Sequence, residues 1–397
     1  MSVFVAILGL AFLILIHEAG HFFTAIGVGM RPRKFYIGFP PPLVRVHRRG
    51  IEYGIGTIPL GGYVKIPGMH RPAARDLDFR LHHAISRDPG LVKPLEAAKR
   101  PLLRGDYDEA RVALEDLEAA MREANQPTDV LADVRDSLSP DAYWRQRAWK
   151  KVLVIFAGPG ANLLFAVLVF TVLFMLAGGK ATTTVDDVLS DTPAAHMGLK
   201  AGDEILEIDG RPVQAGDISH VISHSQGQPI TLLVSRDGQI VKLGPNRPQK
   251  TEGVFRLGFA LRGSGLGAPA AAKESVRATA IISREIVTSL GNLVHRQGRK
   301  DISSPVGIVE GSSNAVNQGL QSYLWVLGLI SLSLALLNLL PLLPLDGGHI
   351  FFSLIEAVRG RAVAREVYER VSAIGIALVL MLFLIGLSND VSRIGGG

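Results

Sequence analysis

The chain contains no cysteine. Disulfides, thiolate metal ligands and a thiol nucleophile are therefore excluded, and any metal must rely on nitrogen and oxygen donors. The redox state of the compartment stays open. Charge is also scarce: 20% of the 397 residues are charged against 48% hydrophobic, with a mean hydropathy of +0.27. A single soluble domain fits that balance poorly, whereas several membrane spans plus a modest soluble portion fit it well. The net charge of +6 would in another setting suggest nucleic acid. Here the basic residues gather beside apolar runs, as in cytoplasmic loops, so the expected surroundings are a lipid bilayer and no nucleic acid. The first apolar run lacks a basic stretch before it and is too long for a signal-peptide core, so it is expected to be retained.

Four stretches are long and apolar enough to span: 3–28, 152–177, 323–343 and 371–387. Arg31, Arg33, Lys34, Arg45, Arg48 and Arg49 follow the first. Arg145, Arg147, Lys150 and Lys151 precede the second, and Arg359, Arg361, Arg365 and Arg370 separate the third from the fourth. The positive-inside rule puts these loops in the cytoplasm, and both termini and 178–322 outside. The expectation is an α-helical polytopic protein of the cell's inner membrane with about four transmembrane helices.

The sequence His17-Glu18-Ala19-Gly20-His21 lies within the first apolar run. On a helix, residues four apart stand above one another, so His17 and His21 can offer two imidazoles to one metal ion. Glu18 would then be the adjoining acid that takes a proton from metal-activated water and gives it to a leaving amine, the HExxH arrangement of peptide hydrolysis. Each ionisable residue at membrane depth costs about 2.5 to 3.5 kcal/mol, so three in five positions need a compensating partner. The competing reading sets the three beyond the lipid, at the end of a shorter anchor. Against it, apolar sequence resumes at Phe22 and runs to Val28.

The run Asn338-Leu339-Leu340-Pro341-Leu342-Leu343-Pro344-Leu345-Asp346-Gly347-Gly348-His349 is read as the end of the third span. Its two prolines break the helix and leave the carbonyls of Leu337 and Leu340 without their helical partners, which is tolerated where backbone lines a cavity. At 1.5 Å per residue His17 lies roughly 20 Å from the outer end of its span. Asp346 falls near the same depth on a span running inward, and a carboxylate there would complete a two-histidine, one-carboxylate zinc set with an open position for water. Otherwise Asp346 is a turn that caps a helix. Asn338 would hydrogen-bond a substrate backbone or an oxyanion, or else a neighbouring helix.

Between 38 and 67, alternating β-type segments punctuated by Gly and Pro predict a small sheet at the membrane face. Either it adds an extended substrate to its edge or it is a surface hairpin without a catalytic role. From 70 to 141 the chain is polar, with a helix over 106–125; this cytoplasmic insertion is a solvated face or a docking site, with His70, His82 and His83 at its surface. The outer stretch from Pro193 to Gly210, with strands at 230–234 and 240–243 about the turn Asp237-Gly238, predicts a compact β-rich domain of about 80 residues. An apolar stripe over 271–296 predicts an amphipathic helix on the membrane surface or packed on the neighbouring domain.

Together these motifs resemble the site-2 proteases, the intramembrane zinc metalloproteases. The resemblance rests on HEAGH in the first span, on the run from Asn338 to His349, on Phe156-Ala157-Gly158-Pro159-Gly160-Ala161-Asn162 opening the second span, and on 193–210, which is similar to a PDZ domain. It covers most of the chain apart from 70–141. It implies zinc on His17, His21 and Asp346, a general base at Glu18, and substrate contacts at Asn338, Asn162, Gly61 and Gly62. It also implies a β-loop that holds substrate as an added strand and an extracytoplasmic PDZ-like domain that filters substrates. Those substrates would be membrane-spanning proteins already trimmed by another protease, such as anti-sigma factors. Two departures stand out: one PDZ-like unit only, and Gly38-Phe39-Pro40-Pro41 where the family carries glycine, phenylalanine, glycine and proline.

The expected division is a first transmembrane helix at 1–30, the β-loop at 31–69, the insertion at 70–148 and a second transmembrane helix at 149–178. The PDZ-like domain at 179–265 and a linker at 266–322 follow. A third helix at 323–350, a cytoplasmic loop at 351–370 and a fourth helix at 371–390 complete it. The alternative to an enzyme is a non-catalytic membrane scaffold that gathers peptides. A metal transporter is disfavoured because the second and fourth spans contain almost no polar residue beyond Asn162 and Ser372.

Overall fold

The computed structural model describes residues 1–178, 180–251, 253–292 and 304–395. Among them, four helices are long and apolar enough to cross a membrane. These are α1 (Ser2–Gly27), the helix starting at Ala148, the helix from Leu320 to Asn338 and the helix starting at Arg365. The chain folds as two compact units, one formed by Met1–Ala166 with Ser283–Gly397 and the other by Val167–Ile282.

In the first unit, α1 is followed by β1 (Lys34–Arg48) and β2 (Ile51–Lys65). Both strands bend. Residues 34–37 are flanked by 52–55 on one side and 62–65 on the other, while 44–48 pair with 51–55. The sheet is thus four strands wide from two chain passages, a shape that alternation alone does not reveal. Four helices make the insertion: α2 (Ala74–Arg87), α3 (Val92–Arg104), α4 (Tyr107–Glu123) and α5 (Ala132–Leu138). Of these, only α4 is expected from sequence periodicity. The others are short, but each contributes leucines to one buried core that includes Leu77, Leu81, Leu95, Leu117, Leu131 and Leu138. Tertiary burial fixed what local periodicity left weak. His82 and His83 are exposed on α2.

Next come α6 (Ala148–Leu173), extended by a π-helical turn over Phe174–Gly178, and the elements of the second unit. These are β3 (Lys180–Val188), α7 (Pro193–His196), β4 (Glu204–Ile208), β5 (Arg211–Pro212), α8 (Ala215–Ser223), β6 (Ile230–Arg236), β7 (Gln239–Asn246), β8 (Gln249–Thr251), β9 (Val254–Arg256) and β10 (Phe259–Ser264). The main sheet has the order β10-β3-β4-β6-β7, with β5 on β4, and β8 pairs β9 apart from it. Ile205, Ile208, Leu232 and Val234 bury one face together with Ile218 and Ile222 of α8. Asp237 and Gly238 both take positive φ in the β6–β7 turn, 51° and 79°, as a primed hairpin turn requires. Asp203 is buried and grips Arg236 through both oxygens at 2.7 Å. Burial alone would raise its carboxyl pKa, but Arg236 and the Lys200 N–H hold it below the usual carboxylate range.

The amphipathic segment forms α9 (Ala268–Asn292), and the expected residues 293–296 lie outside the described residues. Then follow α10 (Pro305–Gln318), α11 (Leu320–Asn338), α12 (Asp346–Arg359) and α13 (Arg365–Gly395). Helix α10, where sequence predicts only a linker, packs against α1 and α11; its N-terminal amides at Ser304 and Gly307 donate to Asp390 of α13 at 2.7 and 3.0 Å. The third span also differs from the expected 323–350. Its helix stops at Asn338, and Asp346 starts a separate one. The carbonyls of Leu337 and Leu340 are not orphaned, because the loop turns back to supply the N–H groups of Leu340 and Leu342 at 3.1 and 2.7 Å. Small residues let the helices approach. A Cβ on Gly20 would overlap the Ala157 carbonyl of α6, one on Gly9 would overlap Tyr323 of α11, and one on Gly375 would overlap the Leu343 carbonyl in the break.

Candidate metal centre

His17 and His21 share one face of α1, and the break after α11 delivers Asp346 to them at the first turn of α12. The three donor atoms form a near-equilateral triangle. His17 Nε2 lies 3.1 Å from Asp346 Oδ2, His21 Nε2 lies 3.4 Å from it, and the two ring nitrogens are 3.2 Å apart. A tetrahedral ion with bonds of about 2.0–2.1 Å has ligand–ligand edges of roughly 3.3 Å, so the triangle fits one face of a zinc-sized tetrahedron.

The surroundings fix which atoms can donate. His21 Nδ1–H donates to the Val154 carbonyl at 2.8 Å, which leaves Nε2 with a free electron pair. His17 Nδ1 lies 3.4 Å from the Asn162 side-chain amide. The contact is through Asn162 Nδ2; Asn162 is fully buried, and its Oδ1 has no hydrogen-bond partner among the described residues. Turning that amide would let Oδ1 accept from His17 Nδ1–H and orient this ring in the same way. Asp346 Oδ2 is likewise buried without a hydrogen-bond partner. Three donor atoms at this spacing can share one cation among them. The residues therefore fit a metal ion, and this is the single cluster of His, Asp or Glu with that geometry among the described residues.

Two glycines shape the space around the rings. A Cβ on Gly158 of α6 would overlap Nε2 of both histidines, and a Cβ on Gly62 would overlap Cγ of Glu18. The sheet's 62–65 strand thus lies directly on the acid next to the donor triangle. Gly61, at φ 132°, lies against the Phe39 ring. Asn338 is half-buried at the end of α11, eight residues before Asp346. Gly158 escaped the sequence reading as a site residue, although it stood in the quoted motif. Only the helix crossing shows that it faces the rings.

Helices long enough to cross a membrane, together with a partly buried donor triangle, point to a membrane metalloprotein. Comparison with known proteins narrows the class. The chain belongs to peptidase family M50, the site-2 protease family, whose profile matches residues 5–382. It is 30% identical to zinc metalloprotease RasP of Geobacillus kaustophilus, over 96% of this chain and 95% of that one. It is 27% identical to the Enterococcus faecalis protein named "Probable protease eep", over 98% of each. The chain is a membrane metalloprotease.

Proposed function

We propose that the protein is an intramembrane zinc endopeptidase that cuts membrane-spanning segments of other proteins, with zinc held by His17, His21 and Asp346. The observation that carries this reading is the donor triangle beside Glu18, with two corners on the spanning helix α1 and the third at the start of α12, faced by a strand edge. Bound there, zinc would leave one position open to acidify water and polarise a carbonyl. Glu18 takes the proton from the attacking water and returns it to the leaving amine. Gly62 has no side chain to hold a substrate away, and residues 62–65 pair on one side only among the described residues. An extended substrate adds to that free edge, which satisfies the backbone groups exposed when a transmembrane helix unwinds. Asn338 and Asn162 act nearby, the first toward substrate and the second through His17.

The β-rich second unit is read as a PDZ-like domain outside the membrane, where it filters substrates already shortened by another protease; anti-sigma factors are one such class. Loop charge supports an inner-membrane orientation with both termini and this domain extracytoplasmic, and the basic loops and the insertion cytoplasmic.

The deciding experiment incubates purified protein in detergent with a fluorescent transmembrane peptide. Cleavage should stop with a zinc chelator and return with added zinc. Undiminished cleavage after complete metal removal would refute the proposal, and intact zinc with no cleavage of any membrane substrate would favour a scaffold.

Gly158 gives a test of the ring environment. Gly158→Ala places a methyl group against both Nε2 atoms, so zinc affinity should fall roughly 10- to 100-fold, the range seen when ligand orientation is disturbed. Competition with a zinc-binding dye measures it, and an unchanged affinity would mean that the rings are not held as described.

A further inference from the structure

The strand that reaches Glu18 is tied at its end to the helical insertion. Lys65 closes that strand, and its Nζ lies 2.6 Å from Asp133 Oδ1 and 2.9 Å from Asp136 Oδ2. Asp133 and Asp136 stand three apart on α5 and so present their carboxylates on one face. Just before β1 stands Arg33, whose backbone N–H donates to the Lys65 carbonyl at 2.8 Å. Its guanidinium joins the same helix end, with Nε 3.0 Å from Asp136 and a two-pronged contact to Asp141 at 3.0 and 3.1 Å. Arg80 of α2 holds the other Asp133 oxygen at 2.7 Å. Burial alone would lower the Lys65 ammonium pKa and raise that of the Asp133 carboxyl; the pairing overrides it in both, leaving Lys65 raised and Asp133 lowered.

Lone surface pairs contribute little, but a connected set with half-buried members, anchored on a helix with its own core, has few ways to relax. Lys65 stands three positions from Gly62, a reach of about 10 Å along a strand. Sideways movement at Lys65 is therefore passed to the segment on Glu18.

We propose that the insertion positions the substrate-receiving edge, with Lys65, Asp133 and Asp136 as positioning residues that hold strand 62–65 in register over Glu18. This rests on the proteolytic reading for its effect on cleavage, but the clamp itself is a property of the fold. The insertion is then a device for setting catalytic geometry from the aqueous side, and a ligand or protein that displaced α5 would switch off cleavage with the metal still bound.

The test compares the full-length protein with Lys65→Met, which keeps the stem and removes the charge, with Lys65→Arg, which restores it, and with the double variant Asp133→Asn, Asp136→Asn. Amide hydrogen exchange over 62–65 should speed up by roughly tenfold or more in Lys65→Met and in the double variant and return in Lys65→Arg. Exchange in α2–α4 and zinc content should stay as in the parent, which separates a loosened clamp from misfolding. Cleavage should lose about tenfold or more in kcat, as small misplacements of a reacting group do. Unchanged exchange in Lys65→Met overturns the proposal, as does lost cleavage with unchanged exchange. If the parent cleaves nothing, the proteolytic reading fails while exchange still judges the clamp.

Discussion

Replacing Glu18 by Gln should lower cleavage of a membrane-spanning substrate by on the order of a thousandfold, the scale of a lost general acid–base. Zinc content should remain at that of the parent. The amide keeps the shape of the carboxylate and its place under Gly62, so the strand edge and donor triangle should stay as they are. It cannot accept the proton of attacking water. Single-turnover cleavage in detergent, with zinc measured on the same samples, checks both halves. Cleavage within tenfold of the parent would assign the base to another group. Loss of zinc together with activity would instead make Glu18 part of the metal's support.

The second large effect is on the metal itself. Asp346→Ala removes one of three donors and leaves two imidazoles on a single helix, so zinc should fall from about one per chain to near zero after dialysis against a weak chelator. The loss should exceed the roughly 10- to 100-fold cost of disturbing an outer partner such as Asn162. His17→Ala and His21→Ala should behave alike, because each removes one corner of the same triangle. Elemental analysis of the three variants beside Gly158→Ala ranks them, with the ligand variants below the glycine variant. Zinc retained in Asp346→Ala would place the third ligand elsewhere.

The sequence made the donor set legible because a helix has one period. His17 and His21 had to share a face, and the depth expected for a third span running inward set Asp346 level with them, although the structure delivers Asp346 on a separate helix. Apolar length alone marked the spans, and the Asp237-Gly238 turn announced a hairpin through its need for positive φ. Harder to see were features set by packing across long separations. Gly158 faces the rings only because α6 crosses α1 where Gly20 allows contact with Ala157. The folding of β1 and β2 into four strands depends on bends that alternation does not encode. Helices α2, α3 and α5 are short and mostly polar, and they are stabilised by a shared core visible only when assembled. The carbonyls freed by Pro341 and Pro344 found partners within the turn that follows, which no count of missing donors could anticipate.

The stop of α11 at Asn338, with a new helix at Asp346, divides custody of the cation between two independently jointed rods. With two donors on α1 and one on α12, a zinc ion bound as proposed would double as a rivet fastening them. Prying at the far end of α12, where Glu356 meets Lys151 of α6 at 3.3 Å, would loosen that rivet from a distance of about 15 Å along the rod.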